Sequence, residues 1–144
     1  MTTRASHSLV KLLRTVHDFG SLDDDSLLKV VGASVNLAYR AGSTIFETGS
    51  PSDALYVVLS GEIRIFDVGG EVARLGRGES FGEISLLRRI SHTKSAEAAE
   101  DAELMVVPRD SFEELLASNA HLRTHIERRV SDREAVRGDV PASN

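Results

Sequence analysis

"RAGSTIFETGSPSDALYVVLSGEIRIF", Arg40 to Phe66, decides the fold. It contains three short runs rich in β-branched and aromatic residues, "STIFE", "ALYVVLS" and "EIRIF", punctuated by Gly42, Gly49, Pro51 and Gly61. Runs of this length bounded by glycine or proline read as strands, because they are too short for helices and carry no 3.6-residue period. "EIRIFDV" also alternates. Ile63 and Ile65 fall on one side and Glu62 and Arg64 on the other, and the reading extends to Val68 as inward and Asp67 as outward, so one face is expected buried and one wet.

The same texture extends outward from Ser34 to about Pro108, through "VNLAY" upstream and "EVARL", "SAEAA" and "AELMVV" downstream. "DVGGEV" reads as a hairpin turn, since paired glycines accept positive φ. Strands recurring every ~8–12 residues point to an all-β sandwich or barrel. Helical patterns flank this block. Leu9, Leu12, Leu13 and Val16 form one amphipathic stripe; Asp23 suits an N-cap for a second helix with Leu27, Val30 and Val31 inward. After Pro108, Asp110 or Ser111 would cap a helix carrying Phe112, Leu115 and Leu116. A last helix places Leu122, Ile126 and Val130 in an i, i+4 stripe, read as packing on the barrel, a lid over a ligand or a dimer seam. The expected layout is a flexible start (1–8), N-terminal helices (9–33), a β region (34–108), C-terminal helices (109–137) and a tail (138–144).

The totals restrict function. The chain has 144 residues, enough for one domain with a real core, and a net charge of −5. That charge argues against a general nucleic-acid coat or an anionic membrane surface. The absence of cysteine excludes disulfides and thiolate metal sites or nucleophiles. No apolar run approaches the ~20 residues that span a bilayer, and "MTTRASHS" lacks a signal-peptide core, so a cytoplasmic location and no membrane role are expected. Enzyme motifs are missing: no "GxSxG", no P-loop lysine and no metal-ligand set, His121 and His125 having no third partner in the sequence.

One segment departs from plain strand. In "RLGRGESFGEISLL", Gly76, Gly78 and Gly82 loosen the backbone, and "EISLL" is expected to form one short helical turn whose free N–H groups suit an anion. A basic stretch follows, with Arg88, Arg89, His92 and Lys94 within seven positions. The bland reading of Arg88 and Arg89 is solvated surface, and of His92 a loop histidine without a ligand.

Together these spacings resemble the cyclic-nucleotide-binding domain, the β-roll of catabolite-activator-type regulators, cyclic-nucleotide-dependent kinases and gated channels. The resemblance covers roughly Val10 to Val130. Gly42, Gly49, Asp53, Leu55, Tyr56 and Gly61 fall in its register, and "LGRGESFGEISLL" matches its phosphate-binding cassette, here 76–95. It implies a mainly β fold with flanking helices, a double-stranded β-helix or jelly roll of about eight strands. It also implies a ligand, cyclic AMP or cyclic GMP, and no catalytic role or cofactor. Backbone N–H groups around Gly82, Ile84 and Ser85 would hold the cyclic phosphate, and Glu83 would accept from the ribose 2′-hydroxyl. Where the family carries a phosphate-clamping arginine this chain has His92, followed by Thr93 and by Lys94 where alanine is usual. Arginine offers a permanent, bidentate charge and neutral histidine does not. Losing one charged hydrogen bond, worth roughly 1.5–3 kcal/mol, weakens binding by about ten- to a hundredfold. Two compensations are expected: protonation of His92 beside a bound phosphate, or entry of Lys94, Arg88 or Arg89. His92 and Lys94 share a face if the segment is extended.

The expected function is a regulatory sensor whose terminal helices move when ligand binds. It would work as a stand-alone module or as part of a larger polypeptide, with an effector protein or linked domain as its output and no DNA-binding element of its own. The alternative is a degenerate module that binds no nucleotide and serves protein–protein contact or dimerisation.

Overall fold

A computed structural model of the chain describes residues 4–16 and 19–136. Two helices, α1 (Arg4–Thr15) and α2 (Asp24–Ala33), lead into β1 (Val35–Tyr39), β2 (Thr44–Phe46), β3 (Ala54–Ser60), β4 (Ile63–Asp67), β5 (Gly70–Leu75) and β6 (Ser80–Phe81). A short helix, α3 (Glu83–Arg88), interrupts the strands before β7 (Ser95–Ala98) and β8 (Ala102–Pro108). The chain continues in α4 (Arg109–Ser118) and α5 (Ala120–Val136). The eight strands form two four-stranded antiparallel sheets, ordered β1-β8-β3-β6 and β2-β7-β4-β5. This is the mainly β roll with flanking helices that the sequence leads one to expect.

β3 organises both cores. All of Ala54 to Leu59 are buried, because the strand is central in its sheet and covered on both faces. Leu55, Val57 and Leu59 face the helices and join Leu13, Leu27, Leu86, Phe112 and Ile126. Ala54, Tyr56 and Val58 face the second sheet and meet Ile63, Phe81, Ala96, Ala98 and Leu104. β8 repeats the division, with Met105 and Val107 outward to the helices and Ala102 and Leu104 inward. The strict alternation follows from the two-residue period of a strand.

Local signals explain the element ends. Asp23 caps α2 by accepting from the Ser26 amide at 3.0 Å, as expected, and this bond holds its carboxyl below the ordinary value. Other expected boundaries move. α1 begins at Arg4 rather than Leu9, before the end of the start expected to be flexible. α4 begins at Arg109, so the N-cap position falls to Pro108, with neither Asp110 nor Ser111 capping; a proline has no N–H to leave unsatisfied there. Val68 is fully exposed rather than buried: counted by twos along the strand it falls on the side of Glu62 and Arg64, and it lies in the turn just past the end of β4. Leu122, Ile126 and Val130 are buried in the helical core, which is the packing reading; a seam between copies would have to use other faces of α5. The tail 138–144 lies outside the described residues. No helix among the described residues is long and apolar enough to cross a membrane.

One glycine is fixed by contact. Gly61, at φ +82°, turns β3 into β4, and a Cβ there would lie 2.3 Å from the Asp101 carbonyl oxygen. No side chain fits, which is why the turn carries glycine.

Candidate functional site

The rim between the two sheets opens into a cavity of about 780 Å³. Its walls come from β4, β5, β6, α3, the 92–94 segment and one residue each of α1, β2 and α5. All seven residues singled out from the sequence line it: Gly82, Glu83, Ile84, Ser85, His92, Thr93 and Lys94. Two segments ten residues apart thus face one space.

The cassette half is built by a sharp change of direction. β6 ends at Phe81, paired with Tyr56 of β3. Gly82 then adopts φ +90° and opens α3. A Cβ at Gly82 would lie 3.3 Å from both the Ala54 carbonyl and the Tyr56 ring, so its small size lets the turn press against β3. The expected helical turn is therefore real, a six-residue helix running Glu83 to Arg88. Its first N–H groups have no partner within the helix by geometry. Leu86 anchors it in the helical core, and Arg89 ends it in the left-handed region at φ 58°.

Glu83 is 2% exposed, an unusual burial for a carboxylate. The guanidinium of Arg129, on α5, stands beside it, with Nη1 3.5 Å from Oε1; the Arg129 side chain is 17% exposed. This pairing is what makes the buried charge tolerable.

The opposite half is held by backbone bonds. The amide of His92 donates to the Ser50 carbonyl at 2.9 Å, and the Gly49 amide donates to the His92 carbonyl at 2.8 Å. His92 is 3% exposed, so it is not a surface loop histidine. Its ring stacks on Phe46, with centroids 3.5 Å apart and planes at 1°, beside an aromatic group formed by Phe46, Tyr56 and Phe81. Its Nε2 has no hydrogen-bond partner. Burial pushes the imidazole below its ordinary pKa, only partly opposed by the Asp53 carboxylate, so in the empty site the ring is neutral at pH 7. Burial likewise pushes the Tyr56 phenol up to about 12. Lys94 is 13% exposed and pairs with Asp67 at 3.5 Å.

Among the basic residues, Arg88 and Arg89 follow the solvated-surface reading and are not available as a compensating clamp. Arg88 and Arg89 are exposed and do not line the cavity, and Arg89 pairs with Glu113 of α4 at 2.6 Å. His125 is exposed as well, whereas Arg129, one turn further along α5, reaches the cavity. Arg129 and Phe46 are the residues that sequence reasoning missed. In "RTHIERRV" an arginine looks like any solvated charge. The available signal was its spacing, three residues after Ile126 and next to Val130, on the flank of the buried stripe. Phe46 gave no signal beyond being the aromatic of a short strand. Among the described residues no three His, Asp or Glu side chains converge as a metal site.

The space is shaped for a small ligand with mixed chemistry. Its volume falls within the ~300–1,000 Å³ of ordinary ligand sites. Ile65, Val72, Ala73 and Leu75 give an apolar wall, against which stand one buried carboxylate, two cations and a ring nitrogen in need of a partner.

Comparison with known proteins agrees. The model of the cyclic nucleotide-binding domain family matches residues 36–119. A cAMP-dependent protein kinase regulatory subunit of Aspergillus fumigatus is 39% identical over 106 residues, which are 72% of this chain and 26% of that protein. The chain therefore spans about a quarter of that relative's length. The catabolite activator protein of Thermus thermophilus superposes with a TM-score of 0.73 at 29% identity, covering 84% of this chain and 59% of that one. The sensor domain of the transcriptional regulator DNR of Pseudomonas aeruginosa shares the fold, with a TM-score of 0.83 over 96% of this chain and 97% of that one, at 19% identity.

Proposed function

The chain belongs to the cyclic nucleotide-binding domain family, and from that premise we propose that it is a regulatory, non-catalytic sensor that takes cyclic AMP or cyclic GMP into the cavity between its sheets. The observation that carries this reading is the convergence of both halves of the cassette, Gly82–Ser85 and His92–Lys94, on one space containing a buried carboxylate. In this reading the ribose hydroxyl donates to Glu83, and first-turn amides around Gly82, Ile84 and Ser85 meet the phosphate. His92 Nε2 gains the partner it lacks, and Thr93 adds a hydroxyl. Occupancy then shifts the population of arrangements of α5, which touches the site through Arg129. The output is an effector protein or a covalently linked domain, and the setting is the cytoplasm.

The test is calorimetric titration with cyclic AMP and cyclic GMP at pH 6 and pH 8, using the natural chain and His92→Arg. Heat of binding from the natural chain supports the proposal. Because the empty-site imidazole is neutral, any protonation of His92 on binding takes up a proton, so affinity then falls from pH 6 to pH 8. Silence from both proteins toward both nucleotides overturns the reading and leaves a fold kept for contacts with other proteins.

A further inference from the structure

A ligand that brings a phosphate into this cavity faces an electrostatic problem. The site has a buried carboxylate, Glu83, and the family's clamping arginine is replaced by an imidazole that is neutral when empty. Two like charges in one poorly solvated space repel strongly unless a cation stands between them. The lining contains two basic candidates among the described residues, Lys94 and Arg129. Lys94 is held by Asp67, which does not itself line the cavity. Arg129 is already beside Glu83.

We infer that Arg129, on the last helix, is a ligand-binding residue: its guanidinium bridges Glu83 and the ligand's phosphate and does the work of the arginine that the cassette lacks. The inference rests on the cyclic-nucleotide reading of the site. Guanidinium geometry permits the double contact. Its five N–H donors lie in a planar fork, so one edge can keep the carboxylate while another meets phosphate oxygens. Lysine presents a compact point charge and cannot present two edges. The exchange is also self-compensating. A ribose hydroxyl donating to Glu83 replaces whatever hydrogen bonding the carboxylate gives up to the phosphate. Since Arg129 rides on α5, the same contact ties the ligand to that helix without a new element.

The experiment measures nucleotide affinity for the natural chain, Arg129→Gln, Arg129→Lys, Lys94→Gln, His92→Arg and the double variant Arg129→Gln/His92→Arg, with thermal melts of each unliganded protein. Arg129→Gln is expected to weaken binding by about 10- to 100-fold, the worth of one charged hydrogen-bonding group. Arg129→Lys should fall between it and the natural chain, and Lys94→Gln should stay within about threefold of the natural chain. The decisive arm is the double variant. An arginine restored at position 92 gains markedly more affinity in the Arg129→Gln background than in the natural one if both arginines act on the phosphate, and gains the same in both backgrounds if Arg129 merely positions Glu83 or α5. The inference is overturned if Arg129→Gln binds as tightly as the natural chain or tighter, if Lys94→Gln carries the loss instead, if the arginine at position 92 gains the same in both backgrounds, or if the natural chain is silent while His92→Arg binds. Silence of both those proteins sinks the cyclic-nucleotide reading itself, a different outcome from the other four.

Discussion

β3 has two faces, and the molecule treats them differently. On the helix side, Leu55, Val57 and Leu59 meet leucines, phenylalanines and Ile126 in a continuous apolar core. On the sheet side, Ala54, Tyr56 and Val58 meet a layer in which Ala96, Ala98 and Ala102 recur. Small residues on facing strands cannot fill the space between two sheets that stand ~10 Å apart. The first core is therefore solid. The second is closed by an aromatic group at Phe46, Tyr56 and Phe81, and beyond Phe46 and Phe81 it gives way to the cavity. One strand thus divides a part of the molecule that holds the fold together from a part left open for a ligand. Buried polar groups among the described residues mostly follow the division: Glu83, Ser85 and His92 line the cavity, and Ser52 does not.

The sharpest way to break this contrast is to make the same change in both cores. Phe112→Ala, in the solid core at 2% exposure, should cost about 3–5 kcal/mol, because its dense surroundings cannot collapse into the void. Phe46→Ala, on the cavity wall, should cost roughly 1–2 kcal/mol, since the side chain already borders open space and is only half-buried. Urea denaturation of the two variants measures the difference. Equal losses would show that the hollow core carries as much stability as the solid one. Between these two effects comes Gly61→Ala. The new Cβ would meet the Asp101 carbonyl in a backbone conformation that L-residues avoid, so a loss of roughly 2–4 kcal/mol is expected without any loss of buried apolar surface.

How much of this was legible follows the same division. The solid core was readable in its helices, whose residues announce themselves by period: the Leu122, Ile126, Val130 stripe is where hydrophobic patterning puts it, whereas "ALYVVLS" is apolar throughout and shows a buried strand without telling its two faces apart. The cassette was readable because glycine spacing reflects backbone constraint, as Gly82 at φ +90° illustrates. The hollow core was not. "SAEAA" gives a strand but no sign that its alanines leave room for a ligand. Arg129 was missed because a pocket assembled from a distant helix leaves no local pattern. The burial of His92 also escaped the sequence, which shows a polar residue in a basic loop and nothing of the Phe46 ring beneath it.

The smallest expected effect asks whether the hollow side's polarity serves the fold at all. His92→Phe keeps a flat ring for Phe46 to stack on and removes a nitrogen that has no partner. Replacing an unsatisfied buried polar group by an apolar one of similar shape is nearly neutral or stabilising, so a change within about 1 kcal/mol, most of it favourable, is expected at pH 7.5. The contrast should grow on acidification. Burial holds the folded-state pKa of His92 below that of the unfolded chain, so between the two values the unfolded state binds more protons. The stability that this group contributes is full above the ordinary histidine value of about 6.5 and is lost as pH falls through the folded-state pKa. The natural chain should therefore lose more stability between pH 7.5 and pH 5 than His92→Phe does, with contributions from other groups cancelling in the difference. Parallel denaturation curves at the two pH values would mean that the imidazole is solvated in solution and that the cavity is wetter than its lining implies. A steeper loss in the natural chain would show that position 92 carries a polar group at the expense of the fold, the pattern expected where a residue is kept for what enters the cavity rather than for what surrounds it.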